Sequence, residues 1–162
     1  MKRSSWPRTD PSGFALVELI VALVVLAMLA SIAVPAVTKW YPTYQLRNAV
    51  RELHSNMQLV RLEAIRQSTN CTITFTANGY TCSSPNRTIN LSDYSNGGIR
   101  FQGPGGQTFD SASVYFSATG MVTGGGYAYL SNRNNSAFYR VGPGTSTAGV
   151  IRSQQQHGGT WQ

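Results

Sequence analysis

Charge is scarce in this sequence. Of its 162 residues 12% are charged, and only six are acidic. Beyond Ser68 the carboxylates are confined to Asp93 and Asp110. Both fall in segments that read as loops, so no carboxylate pair for acid–base catalysis can be assembled. Histidine is rarer still. His54 and His157 stand alone, neither beside another ligand at metal spacing. The two cysteines, Cys71 and Cys82, have ten residues between them, which is not a metal-type spacing either. Serine is plentiful, yet no nucleophile-elbow motif surrounds one. The glycine clusters Gly103-Pro104-Gly105-Gly106, Gly124-Gly125-Gly126 and Gly142-Pro143-Gly144 lack a following Lys-Ser/Thr and any dinucleotide fingerprint, so they read as turns. These absences argue against an enzyme, and no cofactor is expected.

What is present points outside the cytosol. Sixteen glycines and a Ser/Thr/Asn-rich second half, with Tyr, Phe, Val and Ile recurring throughout, suit a turn-rich β domain. The formal charge is +7. Lys2, Arg3 and Arg8 against Asp10 supply +2 of it, and the remaining +5 is dispersed over ten basic and five acidic residues. Without a block of like charge this reads first as a solvated surface, with polyanion binding as the alternative.

The segment Phe14 to Thr38 carries a single charge, Glu18, over 25 residues. At about 1.5 Å per helical residue it can cross a hydrocarbon core of about 30 Å. A secretory signal would have a shorter apolar region followed by a small-residue cleavage site. Glu18 is costly there, about 2.5–3.5 kcal/mol at mid-membrane and less near the end of the run. It invites a cation, and an α-amine exposed by cleavage at Phe14 would lie four residues away. Past the run, Lys39 can snorkel and Trp40 and Tyr41 suit the headgroup layer. Basic residues flank both ends, so charge alone does not set the topology.

The stretch Gly13-Phe14-Ala15-Leu16-Val17-Glu18-Leu19-Ile20 resembles the leader junction of type IV prepilins and pseudopilins, with Ala15 and Val17 in place of the more usual Thr and Ile. Ser31-Ile32-Ala33-Val34-Pro35 resembles the end of the membrane half of pilin helices. Leu59 to Arg66, Val114 to Gly120 and the closing Gly149-Val150-Ile151-Arg152 are similar to the helix end, the strand-turn element and the C-terminal Gly-x-x-Arg pattern of the GspH/FimT group of minor pilins and pseudopilins.

The resemblance implies cleavage between Gly13 and Phe14 by a prepilin peptidase, N-methylation of Phe14, and an assembly role for Glu18 against a neighbouring subunit's N-terminus. It implies a bacterial inner-membrane protein with a single pass and a periplasmic C-terminal domain, partnered by other pilins and built into a pilus or pseudopilus. Three functions follow. The first is a minor pilin, favoured by the Ile-Ala-Val-Pro ending over a type II secretion pseudopilin. The second is DNA binding in uptake through Arg133, Arg140 and Arg152, although Val150 stands where DNA-binding members carry Arg. The third, a single-pass membrane protein unrelated to filaments, leaves Gly13, Phe14 and Glu18 together unexplained.

The expected fold is α+β: a long N-terminal pilin helix, half in the membrane and half amphipathic, packed on an antiparallel β-sheet domain. Residues 1–13 are the leader, 14–38 the transmembrane helix and 39–68 its amphipathic half. Residues 69–152 are the β-rich domain, and 153–162 a loose polar tail apart from Trp161. The stripe Leu46, Val50, Leu53, Met57, Val60, Ala64 follows a 3.6-residue period, with Arg47, Arg51, Glu52, Arg61 and Arg66 off it. Pro35 lacks an N–H and predicts a kink, and Pro42 repeats the problem. Strands are expected at 72–76, 80–82, 98–102, 113–117, 127–131, 137–141 and 148–152. Asn78-Gly79 predicts a two-residue turn that sets Cys82 opposite Phe75. A Cys71–Cys82 disulfide, expected in an oxidising compartment, would need a different register.

Overall fold

The structure, a computed structural model, describes the backbone of residues 12–94 and 98–162, without the side chains of 12–14 and 33–39. Residues 1–11 of the leader therefore lie outside the described residues, as do the side chains of Phe14 and Pro35. The chain divides into two units, Met1–Lys39 and Trp40–Gln162.

One helix, α1 (Ser12–Gln67), contributes to both. The helix runs on through Pro35 and Pro42. In the first unit Ala15–Ile32 is long and apolar enough to cross a membrane, and none of it is buried by the chain itself.

In the second unit the expected stripe is the heart of the core. Leu46, Leu53, Met57, Val60 and Ala64 are wholly enclosed, and Val50 nearly so. Ala49 and Asn56 widen the buried face. Its covering is two five-stranded antiparallel sheets. In the first, the order is β3 (Arg87–Asn90), β2 (Gly79–Cys82), β1 (Cys71–Thr76), β5 (Ser113–Phe116), β6 (Val122–Thr123). In the second it is β10 (Thr160–Trp161), β9 (Arg152–His157), β8 (Phe138–Gly144), β7 (Gly126–Asn132), β4 (Ile99–Phe101). Alternate residues of β1 and β4 point inward, as the period of a half-buried strand requires. Phe75 joins the sheets, packing edge-on against Phe101 at 5.6 Å between centroids and stacking on Phe109 at 5.7 Å.

Four expectations are corrected. The first hairpin turns at Ala77-Asn78, because Thr76 pairs with Gly79 and Phe75 with Tyr80. Gly79 belongs to the strand. A Cβ there would overlap the Ile89 carbonyl of β3, so this close approach requires glycine. The register consequently puts Cys82 opposite Ile73, while Cys71 stands opposite Phe116. Cys71 and Cys82 are separate buried thiols and not a disulfide. Burial pushes the Cys82 thiol up to about 11, against a smaller downward pull from Arg87.

The tail is the third correction. Residues 153–162 complete a hairpin, β9–β10, that extends the second sheet. Trp161 anchors it against Tyr129 at 5.8 Å between centroids. The strand expected at 148–152 begins only at Arg152, since Gly149 is in the left-handed region at φ +74.

Candidate assembly site

Three regions carry the residues singled out in the sequence. The first is the apolar unit. Glu18 is exposed on α1 amid exposed Leu16, Val17, Leu19 and Ile20. A helix apolar on all sides is stable only where lipid or other helices cover it. Gly13 and Phe14 lie in the first turn of the helix.

The second region joins the three downstream motifs. Arg61 of α1 donates through Nε to the Gly120 carbonyl at 3.0 Å, and through Nη2 to the Ala148 carbonyl at 3.4 Å. Gly149 sits against both: a Cβ on it would overlap the Gly120 oxygen and come within 2.8 Å of Arg61 Nε. Helix end, strand-turn element and C-terminal Gly-x-x-Arg thus meet at one junction. The spacing of apolar residues sets Arg61 off the buried stripe and says nothing of these partners. Its signal was its place inside Leu59 to Arg66, not its own environment. Nearby, His54 Nε2 lies 3.4 Å from the Ile151 carbonyl.

Asn56 was also missed. It is 5% exposed and donates to the Tyr80 hydroxyl at 2.8 Å, tying the helix to the first sheet. Arg87 Nη1 approaches its amide oxygen at 3.4 Å. Burial, with a lesser push from Glu52, raises the Tyr80 phenol far above its ordinary range despite the Asn56 bond. A buried amide needs such partners, since each one unmet costs about 1–3 kcal/mol.

The third region holds the candidate arginines. Arg140 pairs with Gln154 and Gly142 with Arg152 across β8 and β9, so Arg140 and Arg152 share the sheet's outer face. Arg140 is already engaged. Its guanidinium lies 4.2 Å from the Tyr127 ring centroid and 4.7 Å from that of Trp161, and its Nε donates to Gln154 Oε1 at 2.9 Å. Below it, burial and then the Asp110 carboxylate push the Tyr129 phenol up, with Arg140 offsetting part of the shift. Arg152 is exposed, and so is Arg133 in the β7–β8 turn. Arg133 is not brought into the ring-flanked cluster.

The family described as "Type II transport protein GspH" matches residues 49–145. The chain belongs to the GspH family. A "Prokaryotic N-terminal methylation motif" matches residues 8–34 of this GspH-family chain. Among solved structures it is similar to the type IV minor pilin FimU of Pseudomonas aeruginosa, at 16% identity and TM-score 0.48, over 76% of this chain and 96% of that one. No curated protein matches it. The chain is a type IV pilin-like, membrane-anchored protein of α+β fold.

Proposed function

We propose that the chain is a minor type IV pilin, cut after Gly13 by a prepilin peptidase and methylated on Phe14, which assembles into or primes a pilus. The carrying observation is the methylation motif over residues 8–34 set on an apolar helix that the chain itself leaves uncovered. In this reading the chain sits in the inner membrane with residues 40–162 in the periplasm. On leaving the lipid, the helix packs among other pilin helices, driven by dispersion contacts and by pairing of Glu18 with an amine. The role is structural, not catalytic. Mechanical shearing of cells followed by immunodetection tests it. The chain should appear in the filament fraction, substoichiometric to the principal subunit. Recovery only in the inner membrane during active piliation would sink the proposal.

Family membership also supports a second reading, a type II secretion pseudopilin. Deleting the chain's gene separates the two: loss of piliation with secretion intact favours the pilus.

DNA binding has its own support in the outer face that carries Arg140 and Arg152 beside Tyr127 and Trp161. With two or three phosphate contacts on duplex DNA, the salt dependence would be shallow, about 0.9 log units per contact. Replacing Arg140 and Arg152 together by Gln is expected to abolish gel retardation of DNA at low salt while leaving assembly unchanged. No retardation by the wild-type protein at low salt would remove this reading.

A further inference from the structure

At the start of the second unit, α1 presents three aromatic rings to the outside. Trp40, Tyr41 and Tyr44 are 61%, 45% and 43% exposed, among the most exposed large side chains of the folded domain. They are ordered against each other. Trp40 stacks on Tyr44 at 4.9 Å between centroids, and Gln45 donates to the Tyr41 hydroxyl at 2.7 Å. Exposed Trp and Tyr just beyond an apolar span are the residues that settle in a headgroup layer.

One turn further on, Arg47 and Arg51 stand four residues apart on the same helix face. They border a cleft of ≈ 320 Å³ shared with Tyr139, Ser153, Gln154 and Gln155. Arg47 Nε donates to the Tyr139 hydroxyl at 3.1 Å, and that hydroxyl donates to Gln155 Oε1 at 2.7 Å. The relay ties Arg47, which lines the cleft, to β8 and β9. Among the described residues neither arginine has a carboxylate partner; the ion pair found there is Arg66–Glu63. Glu52, next in sequence, acts on Tyr80 under the other sheet.

Arg47 and Arg51 lie about 10 and 16 Å of helix rise beyond Trp40. That is past a headgroup layer roughly 5–8 Å deep, so the site meets a lipid headgroup when the helix tilts toward the bilayer surface. Side chains of a helix lean toward its N-terminus, here toward the aromatic rings. We infer that the Arg47–Arg51 cleft is a headgroup site for one anionic phospholipid, holding the domain on the bilayer surface. Two guanidinium forks suit a phosphodiester, and the Gln154 and Gln155 amides suit a hydroxylated headgroup.

The inference rests on membrane anchoring alone. Intact lipid binding with failed filament incorporation would remove the pilus proposal and leave this one standing. The test uses the full chain in uncharged detergent micelles, titrated with phosphatidylglycerol, phosphatidylcholine or inorganic phosphate and followed by native mass spectrometry. One phosphatidylglycerol should bind saturably, at least tenfold more tightly than phosphatidylcholine. Each arginine near an anionic headgroup is worth about fivefold, so R47Q/R51Q should weaken binding about 25-fold, while R66Q leaves it unchanged. If R47Q/R51Q does not fold, Arg51→Gln alone should still show the fivefold loss, because it breaks none of the hydrogen bonds described. Equal affinity for both lipids, unaltered binding by Arg51→Gln, or displacement of the lipid by phosphate at equal concentration would each overturn the assignment.

Discussion

Replacing Glu18 by Val is expected to leave membrane insertion intact and to deplete the chain from sheared filaments at least a hundredfold. The substitution removes a charge that costs about 2.5–3.5 kcal/mol in mid-membrane, so insertion can only improve. What it removes is the carboxylate available to the Phe14 amine once cleavage has exposed it. Leaving one member of a buried ion pair without its partner costs about 3–5 kcal/mol, or roughly two to four orders of magnitude in an equilibrium. Glu18 is exposed on the helix, and in this reading its partner is the Phe14 amine of a neighbouring subunit. Quantitative immunoblots of inner-membrane and sheared fractions measure the effect. Normal incorporation would show that the carboxylate is dispensable for assembly.

Gly149→Ala is expected to lower the domain's thermal midpoint by on the order of 10 °C. At φ +74 an L side chain is strained, and the new Cβ would overlap the Gly120 carbonyl oxygen, a backbone atom with no room to yield. The same overlap displaces Arg61, whose two bonds hold the β5–β6 turn and the Ala148 carbonyl to the helix. Backbone strain of about 1–3 kcal/mol plus a lost charge-assisted bond gives a total near 3 kcal/mol. Each kcal/mol moves the midpoint by about 4 °C at this size. Gly158→Ala is the control: φ is also positive, at +55, but nothing lies within 4 Å of the added Cβ. Circular dichroism melts of both variants in detergent should separate them clearly. Equal midpoints would mean that the Arg61 junction contributes nothing to stability.

Periodicity made the core helix legible. Each residue of the stripe from Leu46 to Ala64 is buried because one face of a 3.6-residue repeat meets the sheets. Strands with alternating or aromatic-rich sequence, such as β1 and β7, were equally plain. The short strands β3 and β6 were not, since Arg87–Asn90 and Val122–Thr123 carry almost no pattern of their own and are held by their neighbours. The Asn78-Gly79 dipeptide signalled a turn, but tertiary packing placed Gly79 in the strand against β3, which moved the register by two residues and set Cys82 opposite Ile73 instead of Phe75. The tail looked loose because Ser153 to His157 is polar. Its edge pairing to β8 and the Trp161 anchor are non-local, so composition could not reveal them. Arg61 and Asn56 were hidden for the same reason. Their partners, Gly120 and Tyr80, are distant in sequence and known only once the sheets are formed.

The central claim is that this GspH-family chain is processed as a pilin. Intact-mass analysis of the protein from membranes of a peptidase-competent host tests it most directly. The expected mass shows loss of the first 13 residues and one added methyl group on Phe14. A mass that retains Lys2 to Gly13 in that host would contradict it.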